Sequence, residues 1–177
     1  IGLGCDNCSC SDAQNMFQAM KMFCALAAVT DPMPGRPHAA DALRAACTGA
    51  AAPAGLAGEV GHLRPGMLAD LVLIDLDDPS YLPLNSVARQ LVYTEGGRGV
   101  RTVVVDGRVV VEDGRPTGFD MGALARTVHD VAKDLRRDAA EVAARLDPIR
   151  ENLLEAVRRS WEVPMPIQRF IGDAGRL

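Results

Sequence analysis

The residues best suited to chemistry stand at the start of the chain, in Gly4-Cys5-Asp6-Asn7-Cys8-Ser9. Asp6 is a carboxylate in a turn-forming stretch, with Asn7, Ser9 and Ser11 following as polar groups that can line a pocket. A carboxylate held at a turn can take a proton from a nucleophilic water and return it to a leaving group. A second constellation overlaps the first. Cys5, Cys8 and Cys10 are three soft ligands close in sequence, a set that can bind zinc or seed an iron–sulfur cluster. No fourth Cys or His stands nearby, since Cys24 and Cys47 fall in later helical segments, and small core residues are the preferred reading of these thiols. The three histidines, His38, His62 and His129, are distant from Asp6 in sequence and none has the spacing of a ligand pair. They read as a helix start, a turn and a helix face, and each is expected to be non-catalytic.

The elements that must position Asp6 follow from pattern. Ile1 to Cys5 is short and apolar, like the end of a buried strand. Active-site groups of α/β barrels sit at such strand ends. Ser11 or Asp12 can cap a helix over 13–29, whose Met16, Phe17, Met20, Phe23 and Ala27 form a wide apolar face. Asp31-Pro32-Met33-Pro34-Gly35 ends it. An Ala-rich helix is expected from Ala39 to Ala51, with Leu43, Ala46, Cys47 and Ala50 at helical spacing. Asp70 to Leu76 is mostly apolar and reads as a strand buried on both faces; Ser86 to Thr94 reads as a further strand. Asp106-Gly107 lies between two β-branched runs, Arg101–Val105 and Arg108–Glu112, and predicts a type I′ hairpin ended by Gly114 and Pro116. From Met121 the pattern is helical through Leu124, Val128, Val131, Leu135, Ala139, Val142 and Leu146. Asp147-Pro148 marks a new helix start carrying Leu153, Leu154, Val157 and Trp161, so that the tail reads as a helical hairpin or an arm. Pro164 and Pro166 end it, and 172–177 reads as a loose tail.

Composition excludes some classes. The chain has 177 residues, 48% of them apolar, with a net charge of −4. That balance argues against a nucleic-acid partner, which needs a basic surface. The longest apolar run, Met22–Val29, is far shorter than the about 20 residues of a membrane span, so no membrane association is expected. No signal peptide is visible, and an odd count of five cysteines suits a reducing, cytoplasmic compartment. The chain opens on Ile rather than Met, and a start further upstream is expected.

The order of these pieces resembles the C-terminal part of the amidohydrolase superfamily, in the clade of cytosine, guanine and adenosine-type deaminases and triazine hydrolases. Gly2-Leu3-Gly4-Cys5-Asp6-Asn7 resembles the final barrel strand, where Gly-Thr-Asp is usual. Ala40–Ala46 followed by Gly49-Ala50 is similar to the helix before barrel closure. Gly58-Glu59-Val60-Gly61-His62-Leu63-Arg64-Pro65-Gly66-Met67-Leu68-Ala69-Asp70-Leu71-Val72-Leu73 is similar to the return into the small sandwich, and is the most specific match. Val105–Val110 resembles the last sandwich strands, so the resemblance covers about residues 1–116. Cys5, Cys47, Pro53 and Met67 depart from the family pattern, and none of them is Asp6.

The resemblance implies an α/β architecture: the end of a (β/α)8 barrel over 1–52, a portion of a small composite β-sandwich over 53–117, and a C-terminal helical hairpin and tail over 118–177. It implies hydrolysis of a C–N bond, of the deamination type, in a small aminated heterocycle by a water activated on one Zn or Fe divalent ion. Asp6 matches the family's last-strand aspartate and would serve as metal ligand and proton relay; no other cofactor site is implied. The other metal ligands would come from the N-terminal barrel portion, on the same or a separate chain. The isolated chain is then expected to be inactive and to associate, either with that portion or with itself as a homo-oligomer. The open alternative is a non-catalytic module that completes a partner's barrel.

Overall fold

The computed structural model describes residues 1–7, 13–30 and 34–163. These divide into two compact units, Ile1–Gly118 and the helical region from Phe119 onward.

The first unit is built on a small helical core. Helix α1, Met16–Thr30, is capped by Asn15, whose Oδ1 accepts from the Phe17 N–H at 3.0 Å and the Gln18 N–H at 3.2 Å. Ser11 and Asp12, the expected caps, lie outside the described residues. The Ala-rich segment forms two pieces, α2 (Ala39–Ala46) and α3 (Thr48–Ala51). They part at Cys47, whose φ of −95° and ψ of −87° leave the helical region. Helix α4, Val87–Tyr93, packs against α1 and α2, and Met20, Cys24, Ala39, Ala42 and Val92 form the buried centre. The alanines let the helices approach closely. Met22, Leu26 and Val29 of α1 point outward and stay about half exposed, so this helix is apolar well beyond its packed face.

Helix α4 corrects the strand expected over 86–94. Ser86 Oγ accepts from the Arg89 N–H at 3.4 Å, and Gln90 Oε1 accepts from the Asn85 and Ser86 N–H groups at 2.9 and 3.1 Å. Those bonds satisfy one first-turn donor, the Arg89 N–H, and the two N–H groups that lead into the helix, where a strand would have needed a ladder partner.

The described strands form one antiparallel sheet in the order β1 (Leu71–Ile74), β2 (Val100–Val105), β3 (Arg108–Glu112), β4 (Arg115–Pro116). The hairpin is where it was expected, with φ of 49° at Asp106 and 74° at Gly107. A second turn of the same kind follows: Asp113 and Gly114 have φ of 48° and 72° and lead into β4, so Gly114 and Pro116 extend the meander instead of ending it. Strand β1 departs from the expectation of burial on both faces. Val72 and Leu73, which face opposite ways, are 55% and 51% exposed. A strand is buried on both faces only under two covering layers, and the described residues do not supply them.

The second region holds α5 (Met121–Leu146), one 3₁₀ turn at Asp147–Ile149, and α6 (Arg150–Glu162). Asp120 caps α5 through Oδ1, which accepts from the Gly122 and Ala123 N–H groups at 2.6 and 3.0 Å. Neither helix buries a residue, and Leu124, Val128, Val131, Leu135, Val142 and Leu146 are all exposed. The expectation was a helical hairpin or an arm, and the stripe that a hairpin would have covered is exposed. No helix among the described residues is long and apolar enough to cross a membrane.

Candidate active-site corner

Asp6 is exposed, lies in an irregular segment outside any helix or strand, and has φ of 55°. Among the described residues only two other non-glycine positions have positive φ, Asp106 and Asp113, and both serve the hairpin turns. Asp6 lies outside the described strands, and three contacts of its neighbourhood are described. Ahead of it, the Leu3 N–H donates to the Ala45 carbonyl at 3.0 Å. Gly2 lies against Gly49 so closely that a Cβ on Gly2 would stand 2.6 Å from the Gly49 carbonyl oxygen. After it, Gln14 Nε2 donates to the Asp6 carbonyl at 2.9 Å.

The expected strand over 1–5 is not formed as a ladder. A parallel strand exists through its neighbours, and no described strand pairs with Ile1–Cys5. Asp6 correspondingly faces solvent and not a crevice in this chain. Asn7 is described and exposed, while Ser9 and Ser11 lie outside the described residues. So do Cys8 and Cys10, and with them most of the thiol constellation; Cys5, Cys24 and Cys47 are free thiols, with Cys24 in the core. His38 is the N-cap residue of α2, His62 lies in a bend, and His129 on α5 sets Nδ1 2.7 Å from the Ala125 carbonyl. Among the described residues no three His, Cys, Asp or Glu side chains gather in a way that could hold a metal ion. They do not fit a metal centre on their own, since Asp6 is a single donor.

Sequence reasoning missed the most elaborate polar arrangement in the first unit. Glu95 follows α4 and is 5% exposed. Its Oε2 accepts from the hydroxyl of Tyr81, itself fully buried, at 2.7 Å. Its Oε1 accepts from the N–H groups of Gly96, Gly97 and Gly99 at 2.9, 2.6 and 3.1 Å. A Cβ on Gly99 would meet Glu95 Oε2 at 2.5 Å, so the loop can wrap the carboxylate because glycine stands there. Beside it Arg98 grips Asp78 through two bonds of 2.7 and 2.9 Å, while Asp78 also caps the 3₁₀ turn Pro79–Tyr81 by accepting from the Ser80 N–H at 2.8 Å. One acid among glycines in Thr94-Glu95-Gly96-Gly97-Arg98-Gly99 was the available signal.

Burial alone would raise the Glu95 carboxyl, but the Tyr81 hydroxyl and the glycine N–H groups outweigh it and hold it below the usual carboxylate range. Burial and the neighbouring Glu95 charge push the Tyr81 phenol up. The Arg98 guanidinium and the Ser80 N–H hold Asp78 well below its ordinary value. Both acids bind protons more weakly folded than unfolded. Their contribution to stability is complete above the unfolded carboxylate range of about 4 and is lost as pH falls through the lower folded values. Stability is therefore expected to stay level with respect to these groups between about pH 5 and 7 and to fall below about pH 4. Replacing Glu95 by Gln should flatten that acid limb, measured as melting temperature against pH; an unchanged limb would remove Glu95 from this account.

The amidohydrolase family model matches residues 1–110. A 5-methylthioadenosine/S-adenosylhomocysteine deaminase of Syntrophus aciditrophicus is 32% identical over 141 residues, covering 80% of this chain and 32% of that protein. A 5′-deoxyadenosine deaminase of Methanosarcina mazei is 30% identical over 135 residues, covering 76% of this chain and 31% of the relative. Among solved structures, an adenosine deaminase from Xanthomonas campestris with bound zinc superposes with a TM-score of 0.71 at 27% identity, over 74% of this chain and 30% of that one. Atrazine chlorohydrolase TrzN from Arthrobacter aurescens, complexed with zinc, gives a TM-score of 0.64 at 25% identity, over 70% and 28%. The chain thus spans about a third of the length of the proteins it matches.

Proposed function

The chain belongs to the amidohydrolase family, and from that premise we propose that it is the C-terminal part of a metal-dependent enzyme that hydrolytically deaminates a small aminated heterocycle. An adenosine-type nucleoside is the first substrate to consider, because the named relatives are deaminases of that class. The observation that carries the reading is Asp6 itself. It lies within the matched residues 1–110, with a left-handed backbone whose carbonyl accepts from Gln14. Backbone conformations of that kind collect at functional positions.

Asp6 is assigned the proton traffic of the reaction. Water adds to the carbon bearing the amino group, Asp6 accepts the proton that the water gives up, and the same carboxyl protonates the departing nitrogen. The carbon keeps the oxygen and ammonia leaves. The remaining donors for a divalent ion, and the walls that choose the substrate, are assigned to the rest of the barrel, on this polypeptide or another.

The test compares the 177-residue chain with the completed protein. Ammonia release is assayed from adenosine, 5′-deoxyadenosine, 5-methylthioadenosine, cytosine and an aminotriazine, and metal is measured by elemental analysis. The chain alone is expected to release none and to hold no stoichiometric metal, because a catalytic zinc takes about three protein ligands and Asp6 is one. The completed protein is expected to deaminate at least one of the panel. Turnover with one metal per chain by the 177 residues alone would overturn the divided site. Silence of the metal-replete completed protein on the whole panel would favour the second reading, a non-catalytic module completing a barrel, which the lone donor at Asp6 supports.

A further inference from the structure

The peptide between Gly96 and Gly97 is gripped at both ends. Its N–H, on Gly97, donates to Glu95 Oε1 at 2.6 Å, and its carbonyl, on Gly96, accepts from Asn15 Nδ2 at 2.8 Å. A trans peptide carries these two groups on opposite edges of one plane, so the two bonds together fix its orientation. The bond to a buried carboxylate also polarises the peptide and makes its carbonyl a better acceptor. Asn15 comes from a segment 81 residues away in sequence. Its Oδ1 already caps α1 through Phe17 and Gln18. A cap needs that oxygen and nothing more, so the amide nitrogen has a separate task. The preceding residue, Gln14, holds the Asp6 carbonyl at 2.9 Å.

We propose that Glu95 and Asn15 are positioning residues for Asp6, acting through the Gly96–Gly97 peptide and Gln14 to hold the left-handed backbone that presents the carboxylate. This rests on the reading of Asp6 as the proton carrier. Neither residue touches Asp6. The buried carboxylate fixes the peptide, the peptide fixes the Asn15 amide, the Asn15 backbone carries Gln14, and Gln14 bonds to the one peptide group that follows the left-handed residue. A catalytic carboxylate displaced by about 1 Å loses on the order of 100-fold in rate, so loosening this route is a matter of turnover more than of fold.

Asn15→Asp separates the two tasks of the side chain. Asp caps a helix as well as Asn does, and its charge favours the helix N-terminus. It cannot donate to the Gly96 carbonyl. In the completed, metal-replete protein, N15D is expected to lower kcat at least about tenfold with KM within about twofold. Amides of Cys5, Asp6 and Asn7 should exchange with solvent faster, while those of α1 and the melting temperature stay at wild-type values. Wild-type kcat and exchange at 5–7 in N15D would overturn the proposal. So would a fall in melting temperature with faster exchange along the whole of α1, which would show a structural role alone. D6N, assayed alongside, separates the two readings. If D6N keeps its turnover, Asp6 is not the proton carrier and the catalytic half of the proposal falls with it. If D6N is inactive and N15D is not, only the positioning claim fails.

Discussion

Asn in place of Asp6 is expected to lower turnover of the completed protein by at least about 100-fold, the usual worth of a positioned acid–base group. The substitution is chosen for what it preserves. Asn has the shape of Asp and is among the few residues that adopt a left-handed backbone readily, so the φ of 55° at position 6 can be kept. The Gln14 bond is made to the main-chain carbonyl and survives any change of side chain. What Asn lacks is an atom that can take a proton from water and return it to nitrogen. The side chain is exposed and takes no part in the core, so melting temperature should stay within about 2 °C of wild type. Ala at the same position should be as inactive, with an added backbone cost of about 1 kcal/mol for the left-handed conformation. The measurement is kcat for ammonia release with metal content matched between variants. Retention of more than roughly a tenth of the wild-type rate would falsify the assignment of proton transfer to this carboxylate.

What could be read from the sequence, and what could not, divides along a physical line. Local chemistry was legible. Asp106-Gly107 between valines specified a hairpin because both turn residues need positive φ, and both have it. The start of α5 was legible from the three- and four-residue steps after Met121. The stretch 87–93 was misread because Val87, Leu91, Val92 and Tyr93 suit a strand by composition. The decisive features were its caps: Ser86 at the N-terminus and Gln90, whose side chain turns back to bond the Asn85 and Ser86 N–H groups. β1 was expected to be buried because its residues are apolar, yet burial depends on covering layers that pattern alone does not report. At Asp6 the sequence suggested a strand end facing a crevice, whereas the described residues show an exposed, left-handed position. The amide contacts around it were not legible, because they join side chains to main-chain carbonyls, one of them 81 positions away. Glu95 was invisible for the same reason. Four donors converge on it, and three are backbone N–H groups that any sequence possesses. Only the glycines hinted that a backbone had to pass close to something.

The largest effect on stability is expected from Glu95→Ala. The change removes the acceptor for four hydrogen bonds at once, from Tyr81 and from the N–H groups of Gly96, Gly97 and Gly99. The Tyr81 hydroxyl sits on a fully buried ring and would be left without this partner. A buried donor stranded in this way costs about 1–3 kcal/mol, and hydrogen bonds to a charged group are the stronger kind. With some of the glycine N–H groups reaching water after relaxation, the expected loss is about 4 kcal/mol, on the order of 5 °C in melting temperature for a completed protein of the relatives' length. Two milder variants fix the cause. Tyr81→Phe removes one donor and keeps the ring, and should cost about 2 kcal/mol. Glu95→Gln retains an acceptor for the glycine N–H groups and offers its amide to the Tyr81 oxygen, so it should fall between Tyr81→Phe and Glu95→Ala only if the charge itself matters. A double variant, E95A with Y81F, then decides whether the tyrosine acts through the carboxylate. If it does, the second change adds little to the first, and the shortfall from additivity is the coupling between the two groups. Calorimetric melting of the completed protein is the measurement. An E95A protein that melts within about 2 °C of wild type would mean that water or a rearranged loop satisfies the four donors, and that the carboxylate does not hold the turn between α4 and β2.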